Sequence, residues 1–275
     1  MELYTEVAHN NIFPNPPKRI VSLCPSITEM LVKLGKANNI VGVSAYCIKF
    51  LKELRKPVVG SYIDVKYEIL ERLEPDIVLT MGPAQLQLSK KLHKMGFRVF
   101  QLRLPVTPYG IIENIVSIGL LVGEYDKAHA IAEELLKILK EASECRPSER
   151  ANVYVEVGLG EPYSVGALTF TDGLIRLAGG LNIFHNRLAS FFKPNFSDVT
   201  TANPDILIFE FENGRRKEIH ELIAERKWND LAAVKCNRIL KLRWPNCSIA
   251  HPGPSAINAI SVLSAKIREV FSTST

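Results

Sequence analysis

The sequence predicts an α/β protein made of two similar lobes, each built on a parallel β-sheet. Short β-branched runs alternate with longer helical patterns along the 275 residues, which is typical of βα units. The segment Glu74-Pro75-Asp76, followed by an apolar run, has a counterpart in Asn203-Pro204-Asp205, also followed by an apolar run. A long amphipathic helical pattern lies between the two halves. Together these observations predict two α/β lobes with a helical connection.

The predicted strands and helices follow one another in the order expected for such lobes. In the first half, strands are expected at Ile20–Leu23, Ile40–Val43, Val58–Gly60, Asp76–Thr80 and Phe97–Leu102, with helical patterns that include Thr28–Leu34 and Tyr67–Leu73. In the second half, strands are expected at Val153–Val157, Asp205–Phe209 and Ile239–Leu242, with helices near Asp172–Ala178, Glu218–Ala224 and Ala256–Val270.

The repeated Pro-Asp segment has a simple physical interpretation. Proline lacks an N–H and disfavours helical geometry in the residue before it, so it ends the preceding helix. The aspartate then leads the chain into a buried apolar strand. An α/β protein can carry such a turn twice by chance, and the repeat therefore supports two similar lobes only together with the strand–helix alternation.

The helical pattern between the halves runs from Gly123 to Cys145. Apolar residues recur there at three- and four-residue spacing, and charged residues occupy the opposite face. About 20 helical residues reach about 30 Å, enough to connect an N-terminal lobe (residues 1–122) with a C-terminal lobe (residues 147–275) through a helix over residues 123–146. The alternative is a helix that packs on one sheet only.

Composition and charge exclude several classes of protein. The chain is 47% hydrophobic and 23% charged, which is ordinary for a globular protein, and its net charge of +5 is spread along the sequence. The densest basic run, Arg215–Lys217, is interpreted as a solvated loop, so no nucleic-acid partner is expected. No stretch approaches the about 18 apolar residues of a membrane span. Five widely spaced cysteines predict mostly free thiols.

Catalytic and cofactor signatures are absent from the sequence. The run that begins Gly158-Leu159-Gly160 starts like a dinucleotide-binding loop, but Tyr163 stands where glycine is needed and Pro162 removes a donor N–H. We find no phosphate-binding loop, no Gly-x-Ser-x-Gly and no His-Glu-x-x-His. We therefore predict no enzyme, no catalytic residue, no resident metal and no required cofactor.

The loops beyond the carboxyl ends of the predicted strands are the expected place for a ligand, because open parallel sheets bind ligands there. Those loops carry aromatic and thiol side chains with few charges, which is typical of a site for a large, partly apolar ligand such as a corrinoid or a metal chelate. The alternative is that half of these aromatics pack the bases of the loops. The predicted ligand-binding residues are Cys24, Tyr46, Cys47, Tyr62, Tyr163, Phe192, Trp244 and His251.

One family resembles this sequence over about residues 16–270. Lys18–Glu29 resembles the opening segment of the helical-backbone (class III) periplasmic solute-binding proteins of ABC importers, which bind cobalamin, heme or ferric siderophores. Further matches follow in the family's order, namely Pro57–Gly60, Glu68–Leu79, Leu177–Phe184, Ala233–Lys235 and Pro252–Pro254. The resemblance implies two Rossmann-like lobes with parallel sheets joined by a single long helix. It also implies a ligand in the cleft between the lobes and delivery of that ligand to a permease.

The resemblance further implies that one glutamate on each lobe docks to the permease. Glu68, seven residues before Pro75, falls on the first of these positions. At the second position the sequence has Ser197, with Asp198 beside it as the substitute, and Ser255 stands where relatives often have arginine. These departures put the docking and one cationic ligand contact in doubt.

Within that family, the expected role is that of a monomeric substrate-binding component that carries a cobalamin-type corrinoid or a ferric siderophore. The resemblance implies a protein outside the cytoplasm, in the periplasm or at the cell surface. Because the amino terminus has no basic and apolar leader segment, this location is expected if a leader was removed. The alternative is a cytoplasmic protein of the same fold that binds or senses a metal cofactor without a permease.

Overall fold

The computed structural model describes residues 15–158, 161–211, 218–243 and 247–272. The chain divides into two compact units. The N-terminal unit comprises Met1–Leu104, Gly110–Glu134 and Pro252–Pro254, and the C-terminal unit comprises Pro105–Tyr109, Leu135–His251 and Ser255–Thr275. Among the described residues, no helix is both long enough and apolar enough to cross a lipid bilayer.

The N-terminal unit is built on a sheet of five parallel strands. They are β1 (Ile20–Ser22), β2 (Ile40–Ser44), β3 (Val58–Gly60), β4 (Ile77–Met81) and β5 (Val99–Leu102), in the spatial order β3-β2-β1-β4-β5. Its helices are α1 (Pro25–Lys33), α2 (Ala45–Phe50), α3 (Tyr67–Arg72) and α4 (Leu86–Lys94), followed by α5 (Pro108–Leu121). The central strands are buried throughout, because crossover helices cover a parallel sheet on both faces. The five predicted strands and the parallel arrangement are confirmed.

The C-terminal unit contains a sheet of six strands. They are β6 (Ala151–Gly158), β7 (Pro162–Val165), β8 (Gly180–Asn182), β9 (Phe191–Phe192), β10 (Ile206–Phe211) and β11 (Ile239–Arg243). The spatial order is β11-β10-β6-β7-β9, and β8 also pairs with β6. Its helices are α7 (Phe170–Leu177), α8 (Phe196–Ala202), α9 (Ile219–Glu225), α10 (Ala232–Lys235), α11 (Pro254–Asn258) and α12 (Ile260–Ser272).

This second sheet is mixed, which differs from the purely parallel sheet that the sequence predicts. Strands β11, β10, β6 and β8 are parallel, whereas β7 runs antiparallel to β6 and β9 runs antiparallel to β7. The predicted strands are correct. Strands β7 and β9 have only four and two residues. Such short strands show too little alternation of apolar and polar residues to be recognised in the sequence.

The repeated Pro-Asp segment produces the same backbone turn in both units. Glu74, which follows α3, and Asn203, which ends α8, both adopt left-handed backbone conformations with φ of 41° and 40°. A left-handed residue closes a helix, and the proline after it prevents continuation. Each helix therefore leads directly into a buried strand, β4 or β10.

The aspartates of the repeat connect the amino ends of neighbouring strands. In the N-terminal unit, the Asp76 carboxylate accepts hydrogen bonds from the backbone N–H groups of Lys18 at 2.7 Å and Arg19 at 2.8 Å. In the C-terminal unit, Asp205 accepts one such bond from Asn152 at 2.8 Å. The repeat therefore serves the opposite end of each sheet from the predicted ligand loops.

The predicted connecting helix is present as α6, which runs from Tyr125 to Glu144. Its buried side chains recur at three- and four-residue spacing and form one apolar face. The division between the two units falls inside this helix, after Glu134. One uninterrupted helix thus contributes residues to both units, whereas the predicted limits of the domains remain a prediction.

Candidate functional site

The carboxyl ends of β1, β2 and β3 bring three predicted residues together in the N-terminal unit. Tyr46 and Tyr62, which we call the tyrosine pair, are half-buried, and their rings meet edge to face with centroids 6.1 Å apart. The phenol oxygen of Tyr62 lies 3.9 Å from the Sγ atom of Cys24. Because parallel strands end at the same edge of a sheet, loops far apart in the sequence meet here.

The tyrosine pair is held on its outer side as well. The Nζ atom of Lys49 lies 4.7 Å from the centre of the Tyr46 ring, a cation–π distance. The turn that carries Tyr62 is closed by Ser61, whose Oγ accepts a hydrogen bond from the N–H of Asp64 at 3.1 Å. Burial raises the pKa of Tyr62, and the neighbouring Cys24 thiol adds to this effect. Tyr62 therefore presents a neutral phenol.

Cys24 and Cys47 lie beneath this surface. Cys47 is fully buried, and its Sγ atom lies 3.1 Å from Thr28 Oγ1 and 3.2 Å from Ser44 Oγ. Burial raises the pKa of both thiols, that of Cys47 to about 11. Both are neutral and unreactive at neutral pH. Cys47 offers no exposed surface to a ligand, which differs from the direct contact predicted for it; it supports the loops after β1 and β2 instead.

Gln85 organises the same edge, and the sequence interpretation did not single it out. Its side chain is fully buried just before α4. The amide donates hydrogen bonds to the carbonyl oxygens of Leu23 at 3.1 Å and Tyr62 at 2.5 Å, and it accepts one from the N–H of Met81 at 2.7 Å. The only hint in the sequence is a polar residue four positions after a buried strand, which is a common pattern.

In the C-terminal unit, Tyr163 lies in β7, opposite Val157 of β6 in an antiparallel pair. Its side chain is half-buried. Beside it, the exposed side chains of Lys193 and Glu161 form an ion pair. Trp244, also predicted to bind the ligand, lies outside the described residues. Among the predicted contacts of this unit that the structure describes, Tyr163 is therefore the most exposed.

Phe192, a predicted ligand contact, is buried. Its ring meets that of Phe184 edge to face, with centroids 5.1 Å apart, and the guanidinium of Arg187 lies 3.9 Å from its ring centre. Its neighbour Phe191 is half-buried. Contact between Phe192 and a ligand would require Arg187 to move away.

His251 is also buried, at the end of a short loop that Glu210 holds in place. The Glu210 carboxylate accepts hydrogen bonds from the N–H groups of Ile249 at 2.7 Å and Ala250 at 3.1 Å, and from the Ser248 hydroxyl. The Ser248 oxygen in turn accepts a bond from the N–H of His251 at 3.0 Å. Glu210 is a second buried organising residue that the sequence interpretation missed.

A different buried carboxylate, Glu156, lies on the neighbouring strand β6. It accepts two hydrogen bonds from the guanidinium of Arg226, at 2.5 and 3.0 Å, and one from the Tyr154 hydroxyl at 2.9 Å. Arg226 also lies 4.0 Å from the centre of the Phe196 ring. Because Glu156 is opposite Phe209 in the parallel register, Glu156 and Glu210 lie on opposite faces of the sheet.

The two acidic residues expected to dock to a permease are both exposed. Glu68 is the second residue of α3 and Asp198 the third residue of α8, so both lie in a first helical turn, where a carboxylate is favourable. Glu68 precedes the left-handed Glu74 by six residues, as Ser197 precedes the left-handed Asn203. Ser197 is thus the structural equivalent of Glu68, and Asp198 lies one position after it.

Among the described residues, no group of three or more histidine, cysteine, aspartate or glutamate side chains converges. The residues that do converge are aromatic rings, neutral thiols and amides. Such groups bind by shape, stacking and hydrogen bonding.

Comparison with known proteins identifies a family. The family model described as periplasmic binding protein matches residues 20–244. The cobalamin-binding protein of Halobacterium salinarum is 29% identical over 199 residues, which are 70% of this chain and 53% of that protein. The chain thus spans about half the length of that relative. The vitamin B12-binding protein of Vibrio parahaemolyticus is 25% identical over 256 residues, 89% of this chain and 87% of the relative.

Solved structures share the fold. The periplasmic heme-binding protein RhuT from Roseiflexus sp. RS-1, in its apo form, superimposes with a TM-score of 0.79 at 20% identity. The match covers 92% of this chain and 98% of that one. At this identity the likeness concerns the architecture. It confirms the two-lobed α/β fold predicted from the sequence.

Proposed function

Because the chain belongs to the periplasmic binding protein family, we propose that it captures a cobalamin-type corrinoid, or a related metal chelate such as a ferric siderophore, for an ABC importer. The observation that carries this proposal is the tyrosine pair, half-buried at the carboxyl edge of a parallel sheet and supported from below by hydrogen-bonded neutral side chains. Such an edge is where open parallel sheets bind ligands.

The chemistry of this edge suits a large chelate. Aromatic rings bury much apolar area with little loss of conformational entropy, and a phenol also offers a hydrogen-bond donor. Tyr46 and Tyr62 would contact the ligand directly, and the predicted contact of Tyr163 stays a prediction. Cys24, Cys47, Phe192 and His251 would act mainly as support, because each is buried. The names of the relatives, cobalamin-binding and vitamin B12-binding protein, favour a corrinoid among the chelates.

The ligand is expected to leave the protein chemically unchanged. Raised pKa values keep the Cys24 and Cys47 thiols protonated and weakly nucleophilic. Glu156 is engaged by Arg226 and Tyr154, and Glu210 by backbone N–H groups. These engagements are those of structural carboxylates. We therefore infer a binding protein and not an enzyme.

Titration of the purified protein tests the ligand. We expect one equivalent of cyanocobalamin, or of a ferric siderophore, to bind tightly, as measured by calorimetry and absorbance, with heme titrated in parallel. Replacing both members of the tyrosine pair by alanine should weaken binding at least about a hundredfold, since stacked aromatic contacts at the centre of a site commonly contribute about 2 kcal/mol or more. Tyr109→Ala, at an exposed tyrosine of α5, is the matched control.

A wild-type protein that binds none of these chelates would refute the proposed ligand class. Equal losses in the tyrosine-pair variant and the Tyr109→Ala control would remove the tyrosine pair from the site.

Delivery to a permease is the second part of the proposal. Glu68, and with shorter reach Asp198, would dock to cationic residues of the permease, with the protein acting as a monomer outside the cytoplasm. The periplasmic description of the structural neighbour favours that location over the cytoplasmic alternative. The exposure of both carboxylates in first helical turns leaves them accessible to a partner.

The docking role has its own test. Glu68→Ala should leave the Kd for the ligand unchanged and lower ligand uptake in proteoliposomes that contain the permease and its ATPase. Glu71→Ala, at another exposed glutamate of α3, is the control and should support normal uptake. A parallel loss of ligand affinity in Glu68→Ala would contradict a docking role.

A further inference from the structure

We propose that Gln85 is a positioning residue, which fixes Tyr62 in the orientation that binds the ligand. The inference rests on the proposed function, since it assigns Tyr62 to the ligand surface. Gln85 itself is fully buried and does not touch a ligand. Its effect on binding would pass through the backbone of the loop that carries Tyr62.

The three hydrogen bonds of Gln85 reach three different segments of the same sheet edge. One connects to Leu23, directly before Cys24 in the loop after β1. The second connects to the carbonyl of Tyr62 in the loop after β3, and the third to Met81 at the end of β4. The carboxyl ends of β1, β3 and β4 are far apart in the sequence, and the single side chain of Gln85 connects all three.

Tyr62 has contacts at both its backbone carbonyl and its phenol oxygen. Gln85 binds its backbone carbonyl at 2.5 Å, and the phenol oxygen lies 3.9 Å from Cys24 Sγ. The ring meets Tyr46 edge to face. Cys24 follows Leu23, which Gln85 also binds. The same amide therefore fixes both the tyrosine and the thiol against which its phenol rests.

Glutamine is the residue type that suits this position. A primary amide donates two hydrogen bonds and accepts at its oxygen, which matches two carbonyls and one N–H. Glutamate lacks the donors, methionine lacks both functions, and asparagine is one methylene shorter. A site that is held within a fraction of an ångström binds better than a loose one, because less freedom is lost on binding.

The test uses Gln85→Met, which keeps the size of the side chain and removes its hydrogen bonds. The matched control is Gln101→Met on β5, where the same change removes a hydrogen bond from the amide to Ser89 Oγ at 2.9 Å. Ser89 Oγ donates to the backbone carbonyl of Gln85, so the control leaves the three hydrogen bonds of the Gln85 side chain in place. We expect Gln85→Met to weaken cyanocobalamin binding about tenfold, which corresponds to about 1.4 kcal/mol. Gln101→Met should bind as the wild type does.

A double-mutant cycle separates positioning from general destabilisation. In a Tyr62→Ala background, Gln85→Met should weaken binding by less than twofold, because the residue through which it acts is gone. A full tenfold loss in that background would overturn the proposal, and so would unchanged affinity of Gln85→Met in the wild-type background. If Gln85→Met does not fold, Gln85→Asn, which keeps the amide and shortens its reach, replaces it in the same cycle.

A readout without ligand distinguishes failure of this inference from failure of the proposed function. The ring signals of Tyr62 in NMR spectra, assigned by their loss in Tyr62→Phe, should shift in Gln85→Met and stay in place in Gln101→Met. Unshifted signals would overturn the positioning role, whatever binds. A wild-type protein that binds no chelate would refute the proposed function, while the shift would still establish that Gln85 orients Tyr62.

Discussion

The two sheets organise their carboxyl edges with different chemistry. Strands β4 and β10 occupy equivalent places, since each follows a left-handed residue, a proline and an aspartate. In the N-terminal unit a neutral amide, Gln85, follows β4 and connects three separate segments. In the C-terminal unit a carboxylate, Glu210, lies in β10 and accepts hydrogen bonds from the loop that contains Ser248 to Ala250.

The difference follows from what each group can do. An amide both donates and accepts, so it can bridge carbonyls and N–H groups of several loops, whereas a carboxylate only accepts and collects donors. The buried groups beneath the N-terminal edge are accordingly neutral, namely the Gln85 amide and the protonated side chains of Cys24, Cys47 and Tyr62. Substitutions should therefore act differently on the two edges.

Exchanging the two functional groups should give the largest contrast. Gln85→Glu would place a carboxylate against the carbonyls of Leu23 and Tyr62, which cannot become donors, and should lower the free energy of unfolding by about 3 kcal/mol. Glu210→Gln should cost about 1 kcal/mol, because the Ser248 hydroxyl can turn from donor to acceptor and meet the new amide. Urea denaturation of both variants measures the difference. Equal losses would contradict the assigned donor and acceptor pattern.

Alkali should lower the stability of the N-terminal edge through Cys47. Folding raises the pKa of Cys47 from an ordinary value of 9.0 to about 11, so the unfolded chain loses this proton first as the pH rises. The contribution is present below pH 9 and is lost toward pH 11, about 3 kcal/mol in all. Cys47→Ser, which cannot ionise in this range, should show a shallower decline of stability between these pH values.

The control for that measurement is Cys236→Ser, because Cys236 is an exposed thiol of the other unit. Its pH dependence should match that of the wild type. If Cys47→Ser and the wild type decline in parallel, burial of the Cys47 thiol does not act on stability as described.

The amino ends of the sheets should give the smallest difference. Asp76 accepts two backbone hydrogen bonds and Asp205 accepts one from Asn152. Asp76→Ala should therefore lower the free energy of unfolding by about 1 kcal/mol and Asp205→Ala by about half as much. The losses are small because water can accept the backbone hydrogen bonds in place of the carboxylate at these partly exposed sites. Thermal unfolding measures the stability of both variants. A larger loss in Asp205→Ala than in Asp76→Ala would contradict the equivalent roles assigned to the two aspartates.

Much of the fold could be predicted because its signals are local. Strands β1 to β5 are largely apolar runs bounded by turn residues, and α6 shows a regular apolar spacing over 20 residues. The short strands β7 and β9 lack such a pattern. The single helix predicted near Ala256–Val270 is two helices, α11 and α12, which meet near Ala259. No glycine or proline marks that interruption in the sequence.

The candidate site could be predicted only in part, for a related reason. Strand topology places Tyr46, Tyr62 and Cys24 at one edge, and that proximity follows from the order of the strands. The cover of Arg187 over Phe192 is a short-range contact, but it depends on the conformation of the loop between them. The complete burial of Cys47 depends on contacts with residues far from it in the sequence, such as Ser22 and Thr28. The roles of Gln85 and Glu210 depend on such contacts too, and a single sequence contains no record of them.

The raised pKa values of two tyrosines have a spectroscopic consequence. Burial holds the phenols of Tyr62, in the N-terminal unit, and Tyr154, in the C-terminal unit, in their protonated forms. In an alkaline ultraviolet titration these two phenols would not develop phenolate absorbance as long as their units are folded. Each unit thus contains one buried tyrosine whose ionisation, seen as phenolate absorbance, reports the unfolding of that unit.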